Sequence, residues 1–261
     1  MKNQYVRQSG LRMVLNAMIF LLCTSIGTAQ AGLLGFYDLD GNGLEATGTG
    51  PNLTEPAGVV NYVAGLDGQA ASFDGTGNSW LRAAINSSGH VNPTFSWGAW
   101  VKLNDPAAWN IFLSNDNGGW DRFSQVRNGF WSVSRGGVQN SPYAANSDWT
   151  FIAHTFDGTT QHLYVDDNLA FDFADGLNTS HSFIDIGRNA NSAFPLNGLM
   201  DGVFFFDDML TASEVEEIRL GGAGGAGVLA VAGVSVPEPG TLALLALGLL
   251  GVGVAKKRRT H

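Results

Sequence analysis

Cysteine is all but missing from this chain. The 261 residues hold one, Cys23, and it lies in an apolar stretch near the N-terminus. Without it there is no disulfide framework, no thiol nucleophile and no thiolate metal site. Positive charge is scarce too: 14 Lys and Arg stand against 23 Asp and Glu. Seven of those cations lie at the two ends, three of them before residue 13 and four after residue 255. Only one acidic residue, Glu238, lies in either end. Residues 32–235 therefore carry seven cations, 22 acidic groups and a net charge near −15. A surface of that sign repels nucleic acid and anionic lipid, and it attracts cations such as calcium. Glutamate is absent between Glu55 and Glu214. No uncharged apolar run reaches the length of an ordinary membrane span: the one at 241–255 has 15 residues, against roughly 17–25 for a spanning helix.

What the ends do contain is ordered. Lys2, Arg7 and Arg12 precede an apolar run over 13–23, and Thr28-Ala-Gln-Ala31 follows as an A-x-A cleavage site. This pattern predicts a signal peptide over residues 1–31, removed after Ala31. At the other end, Pro237, Glu238 and Pro239 precede the apolar run, and Lys256-Lys-Arg-Arg259 closes it. The prolines stop a helix from extending backwards. The basic cluster favours a cytoplasmic end, which leaves the rest of the chain outside the cytoplasm. By hydropathy alone the segment is a membrane anchor. The order of its three parts closely resembles the PEP-CTERM sorting signal. That resemblance implies a Gram-negative host, an exosortase-type transpeptidase as partner, membrane insertion of the helix before processing, and delivery to the envelope or extracellular matrix. Glycines at 221, 222, 224, 225 and 227 predict a flexible tether over 221–235.

Between the ends the pattern is that of strands. In Phe95-Ser-Trp-Gly-Ala-Trp-Val-Lys-Leu103, Phe95, Trp97, Ala99, Val101 and Leu103 alternate with Ser96, Gly98, Trp100 and Lys102, which predicts a half-buried strand whose second face Trp100 also partly covers. Other strands are expected at 33–37, 79–83, 111–114, 122–127, 129–135, 150–156, 162–165, 183–186 and 199–206, separated by Asp-Gly and Asn-Gly turns such as Asn128-Gly129. Many short strands with regular turns make an all-β sandwich, jelly roll or barrel. One helix is expected, opened by the capping box Thr211-Ala-Ser-Glu214 with Val215 and Ile218 on its apolar side.

Several segments line up in order: Ala71-Ser-Phe-Asp-Gly75, the Phe95 strand, Asp148-Trp-Thr-Phe-Ile-Ala-His-Thr-Phe-Asp-Gly158, His162-Leu-Tyr-Val-Asp166, Asn197-Gly-Leu-Met-Asp-Gly-Val203 and Leu210-Thr-Ala-Ser-Glu-Val-Glu-Glu-Ile218. Together they resemble the LamG-like jelly roll of the concanavalin A-like lectin/glucanase superfamily over residues 32–220. The resemblance implies two antiparallel sheets, one concave and one convex. Where the family has Tyr-Val-Asp-Gly, this chain has Tyr164-Val-Asp-Asp167, so a changed hairpin turn is expected. The resemblance also implies a structural calcium, held by Asp201 and by Asp38 or Asp40. Seventeen aspartates supply the hard oxygen ligands that calcium takes. The other reading of Asp201 is an acceptor for backbone amides.

The glucanases of this superfamily set two catalytic glutamates and an aspartate at alternating positions of one strand, and retaining hydrolysis needs such a carboxyl pair. That motif is absent. The histidines lack zinc spacing, although His154 and His162 fall on neighbouring predicted strands, where they could face each other. Sugar binding uses aromatic faces and amide or carboxylate side chains. The best cluster is Asn115, Asp116, Asn117, Trp120, Asp121 and Arg122, with Trp109 and Trp131 as neighbours; Trp97 and Trp149 are assigned to the core. The expected function is an exported, non-catalytic domain that binds polysaccharide or a matrix protein. The alternatives are a structural matrix protein without a small ligand, and a polysaccharide hydrolase or lyase.

Overall fold

The computed structural model describes residues 31–56, 58–88, 93–119, 121–134, 137–174, 180–191 and 194–234. The expected signal peptide up to Gln30, Trp120, and the sorting motif with Pro237, Glu238 and Pro239 lie outside the described residues. No helix among the described residues is long and apolar enough to cross a membrane.

The strands are β1 (Leu33–Tyr37), β2 (Asn61–Ala64), β3 (Gln69–Asp74), β4 (Leu81–Ala83), β5 (Phe95–Leu103), β6 (Asn110–Ser114), β7 (Phe123–Arg127), β8 (Phe130–Ser134), β9 (Val138–Ala144), β10 (Thr150–Phe156), β11 (Thr160–Val165), β12 (Asn168–Ala174), β13 (Ile184–Ile186) and β14 (Asn197–Phe206), followed by helices α1 (Ala212–Leu220) and α2 (Ala226–Val231). They form two antiparallel sheets. One runs β12-β11-β10-β5-β14-β3-β2, with β1 also paired to β14; the other runs β4-β13-β6-β7-β8-β9. This is the expected all-β sandwich.

The alternation predicted for β5 is the alternation observed. Phe95, Trp97, Ala99, Val101 and Leu103 point into the core between the sheets, with Phe112, Val126, Trp131, Ile186 and Phe205. Trp100 packs on the opposite face, in a second core. Trp149, assigned to the core from sequence, is only half-buried. It directly precedes β10, where the chain enters the sheet from an exposed turn. The Asn128-Gly129 turn has φ of 55° and 79°, the left-handed pair that a two-residue hairpin requires. Asp166 takes φ 52° in the altered hairpin and accepts the Phe151 amide at 3.0 Å.

His154 and His162 do not face each other. His154 pairs with Leu163 and His162 with Thr155, and adjacent strand positions alternate faces. His154 is buried between the sheets, with Nδ1 3.3 Å from Ser124 Oγ and Nε2 2.5 Å from Gln161 Oε1. Ser124 Oγ also accepts Trp97 Nε1–H at 2.9 Å. The amide oxygen of Gln161 can only accept, so the proton sits on Nε2 and Nδ1 accepts from Ser124. Burial, with the Arg122 charge nearby, pulls the imidazole pKa down to about 3.

The second core covers the outer face of the larger sheet. Phe36, Phe151, Ala153, Tyr164, Phe204 and Phe206 meet Leu210, Val215 and Ile218 from the α1 region, and Val228 and Val231 from α2. The capping box is formed: Thr211 Oγ1 accepts the Glu214 amide at 3.3 Å, and Glu214 Oε2 accepts the Thr211 amide at 2.8 Å. The glycine-rich stretch differs from expectation. It is not a free tether as far as Val234. Gly225 turns with φ 81° and a Cβ there would lie 2.2 Å from Phe36, so the glycines let the backbone double back and lay α2 on the sheet.

Two measurements check this account. A chain ending at Leu220 should melt roughly 10 °C below one ending at Val234, since two buried valines contribute about 1.5–3 kcal/mol each and about 1 kcal/mol moves Tm by roughly 2–4 °C at this size. Equal melting temperatures would restore the tether. For His154, the folded pKa lies below the ordinary 6.5, so the unfolded chain takes up the proton first. The stabilisation is complete above pH 6.5 and falls towards pH 3, at up to about 1.4 kcal/mol per pH unit. Urea denaturation from pH 7 to 4 should show this slope in the wild type and a shallower one in His154→Gln.

Candidate functional site

On the smaller sheet, β7 alternates between its faces. Ser124 and Val126 point inward to Trp97 and the core, which turns Phe123, Gln125 and Arg127 to the outer face. There Gln125 Oε1 accepts Trp109 Nε1–H at 2.6 Å. The Arg127 guanidinium lies 3.6 Å from the centre of the Trp109 ring, and Phe194 is stacked on the same ring at 17°. Two groups so close to one ring must cover its opposite faces. The result is a three-layer stack with Phe194 outermost.

Phe194 is 40% exposed and has φ 52°. A bulky residue in the left-handed region costs about 1–2 kcal/mol, and such strain clusters at functional positions. The backbone is held there: the Ile111 amide donates to the Phe194 carbonyl at 3.0 Å, and Pro195 bridges Ile111. Beside the stack, a pocket of about 120 Å³ is lined by Trp109, Asp116, Gly118, Phe123, Asn189, Asn191 and Phe194. Whole-ligand pockets start near roughly 300 Å³, so this one admits the edge of a ring or one exocyclic group.

The polar side of the pocket is preorganised. Asp116 Oδ1 accepts the amides of Gly118 (2.9 Å) and Asp121 (3.2 Å), and Oδ2 accepts Asn189 Nδ2 at 2.9 Å. Asn189 Oδ1 in turn accepts the Asn191 amide at 2.9 Å and Ser114 Oγ at 3.2 Å. Ser114 Oγ also receives the amides of Asp116 and Ala190. These bonds clamp the β6–β7 loop to the segment after β13.

The predicted cluster is therefore split. Asp116 lines the pocket. Asn117 is exposed on the same loop, its amide bound to Asp121 Oδ2 at 3.0 Å. Asn115 is buried and donates to Ser87. Asp121 is buried, and burial raises its pKa. Arg122 turns between the sheets, 3.5 Å from the centre of the Phe156 ring. Trp131 is core, whereas Trp109 is at the pocket. Phe123, Asn189, Asn191 and Phe194 were not singled out from sequence. The visible signal was Asn189-Ala-Asn191 followed by Phe194-Pro195, an amide-rich connection ending on an aromatic.

Asp201 sits where β14 changes partner, from β3 at Met200 to β1 at Val203. It is buried. Oδ2 accepts the amides of Leu66 (2.9 Å) and Asp67 (3.2 Å), while Oδ1 has no hydrogen-bond partner. Burial, opposed by those amides and helped by the Asp67 charge, pushes its pKa up to about 6. Asp40 Oδ1 accepts the Gln69 amide of the same turn at 3.1 Å, and Asp38 Oδ1 accepts the Asp40 amide at 3.1 Å. No group of three or more His, Cys, Asp or Glu side chains able to hold a metal occurs among the described residues. The orphaned Oδ1 fits one oxygen of a hard-cation shell; the remainder would come from main-chain oxygens and water.

Solved structures share the fold. Domain 4 of AbnA, an extracellular GH43 arabinanase from Geobacillus stearothermophilus, in complex with arabinotriose, is similar at TM-score 0.57 and 20% identity, over 72% of this chain and 98% of that one. The receptor-binding domain of a botulinum neurotoxin C/D mosaic serotype is similar at TM-score 0.58 and 12% identity, over 73% of this chain and 51% of that one. No curated protein sequence matches. The PEP-CTERM protein-sorting motif matches residues 235–259, which implies export, sorting to the Gram-negative envelope and processing by an exosortase-type enzyme. Residues 74–216, more than half of the chain, match the concanavalin A-like lectin/glucanases superfamily, and the chain belongs to that superfamily.

Proposed function

We propose that this is an envelope-sorted, non-catalytic carbohydrate-binding domain whose binding surface is the outer face of the smaller sheet around Phe194. The observation that carries the reading is the strained, exposed Phe194, stacked on Trp109 beside the locked Asp116–Asn189 pair. Core packing does not account for an aromatic ring held outward at a cost in backbone energy. A sugar ring has an apolar face for Phe194 and hydroxyls for Asn189, Asn191 and Asp116. Trp120, which follows Gly119 in the sequence, is proposed as a further ligand contact. The non-catalytic part is supported by the use of the glutamates. Glu45 accepts the amides of Phe36, Thr47 and Thr49, Glu214 caps α1, and Glu216 binds Arg219.

Phe194→Gly relieves the left-handed strain and removes the platform. It should keep the fold and lower affinity at least tenfold for whichever polysaccharides the wild type binds on a glycan array. Unchanged affinity would remove Phe194 from the site. Binding to no glycan would favour the structural matrix protein, and product release from bound glycan would favour the hydrolase or lyase.

Calcium at Asp201 is the second part of the proposal, supported by its orphaned, buried Oδ1. Adding about 5 mM calcium to EGTA-treated protein should raise Tm by several degrees and release heat on titration, as for any ligand of the native state alone. Asp201→Asn should abolish both effects. No response in the wild type would leave Asp201 as an amide acceptor only.

A further inference from the structure

Residues 32–235 carry seven cations. Arg135 lies outside the described residues. Of the other six, Lys102 neighbours Val101 and Leu103 on β5, whose side chains point into the core, so it faces away from the smaller sheet. Arg122 is buried between the sheets, and Arg219 is bound to Glu216 on α1. The remaining three, Arg82, Arg127 and Arg188, lie on the outer face of the smaller sheet. Leu81 and Ala83 point into the core, which turns Arg82 outward on β4. Beside it on β13, Asp185 receives Arg82 through Nε (2.7 Å) and Nη2 (3.1 Å), and Arg188 through Nε and Nη2 (both 2.9 Å). Two guanidinium groups on one buried carboxylate leave a net charge of about +1. A guanidinium has five N–H groups, so each arginine keeps donors beyond those given to Asp185.

Aromatic faces fix all three. Arg188 lies 3.3 Å from the centre of Trp80, Arg82 lies 3.4 Å from that of Phe183, and Arg127 lies 3.6 Å from that of Trp109. Two of the cations adjoin pocket-lining residues: Arg188 directly precedes Asn189 in the chain, and Arg127 lies against Trp109. Among the described residues lining the pocket the one carboxylate, Asp116, already accepts from two amides and from Asn189.

From this placement we infer that the polysaccharide bound at the Phe194 pocket is acidic, bearing carboxylate groups that these arginines receive. The inference rests on the glycan reading of that pocket. Preset guanidinium planes match carboxylates in paired hydrogen bonds. The acidic remainder of the domain limits how dense the ligand's charge can be. At 0.15 M salt the Debye length is about 8 Å, so spaced carboxylates meet the local arginines while most of the negative surface is screened. A nucleic acid, with one charge per about 1.7 Å of duplex, would meet that negative surface along its length.

The test uses the full-length protein on alginate, polygalacturonate and hyaluronate, each beside its carboxyl-reduced counterpart of the same linkage. Binding to at least one acidic polymer, at least tenfold weaker to its reduced form, is the expected result. Arg127→Gln and Arg188→Gln should each shrink that preference several-fold and leave the weak binding to the reduced polymer. Should Arg188→Gln fail to fold, carboxyl reduction and Arg127→Gln decide alone. Equal binding to acidic and reduced forms overturns acidity and leaves the glycan site standing. An acid preference untouched by Arg127→Gln and by any folded Arg188→Gln overturns the assignment to these arginines. Binding to neither form of any polymer overturns the inference together with the reading beneath it.

Discussion

Strand β14 has to be dry on both faces, and most of the architecture follows from that. Its ten residues run from Asn197 to Phe206 and pair with β3, β5 and β1. Met200, Val203 and Phe205 fill the core between the sheets, while Phe204 and Phe206 fill the second core. A half-exposed sheet would leave those two phenylalanines in water. The chain instead returns with α1 and α2 to cover them. The shift in register between Asp201 and Phe204 lets one strand serve two neighbours on the same side. Gly98 on β5 leaves room for the Phe204 ring, which would lie 2.4 Å from a Cβ at that position. Asp201 stands at the same irregularity and fastens the turn at Leu66 and Asp67.

How far the sequence could be read depended on how local each signal was. Strands with strict alternation or continuous apolar runs stood out: β1, β5 and β10 fall where their patterns put them. The capping box of α1 is a four-residue signal and was equally plain. Strands β2, β9 and β12 were not visible; all three lie on sheet edges, and β2, which reads Asn-Tyr-Val-Ala and is largely exposed, has little apolar contrast. The glycine-rich segment misled for a physical reason. Composition says that glycine permits flexibility, but it cannot say whether a neighbouring surface uses that freedom. Phe36 and Gly202 use it, closing on Gly225 and Ala223.

The candidate site shows the same divide. The β6–β7 loop drew notice for its density of Asn and Asp, but a loop anchored at both ends must turn some of those groups inward. Asn115 and Arg122 lie at its two strand junctions and are spent on Ser87 and the Phe156 face. Of the described loop residues, Asp116 and Gly118 line the pocket. Their partners come from residues 189–194, more than seventy positions away, and no local pattern joins the two. What joins them is the sheet, which puts β13 beside β6, and Ser114, whose hydroxyl binds amides from both segments.

The distribution of charge sets the limits on this surface. A domain near −15 is self-repelling, and each cation placed outside the core sits in a general field of the opposite sign. That field would by itself favour salt bridges scattered among the aspartates. Arg82 and Arg188 instead converge on one aspartate and lie flat on Phe183 and Trp80. Convergence raises the local potential and stacking removes the freedom of the long side chains. Both lower the cost of receiving an anion, since the donors are oriented before it arrives. In the proposed reading the acidic exterior and the arginine face act together: one excludes dense polyanions, and the other receives those whose charges are few and well separated.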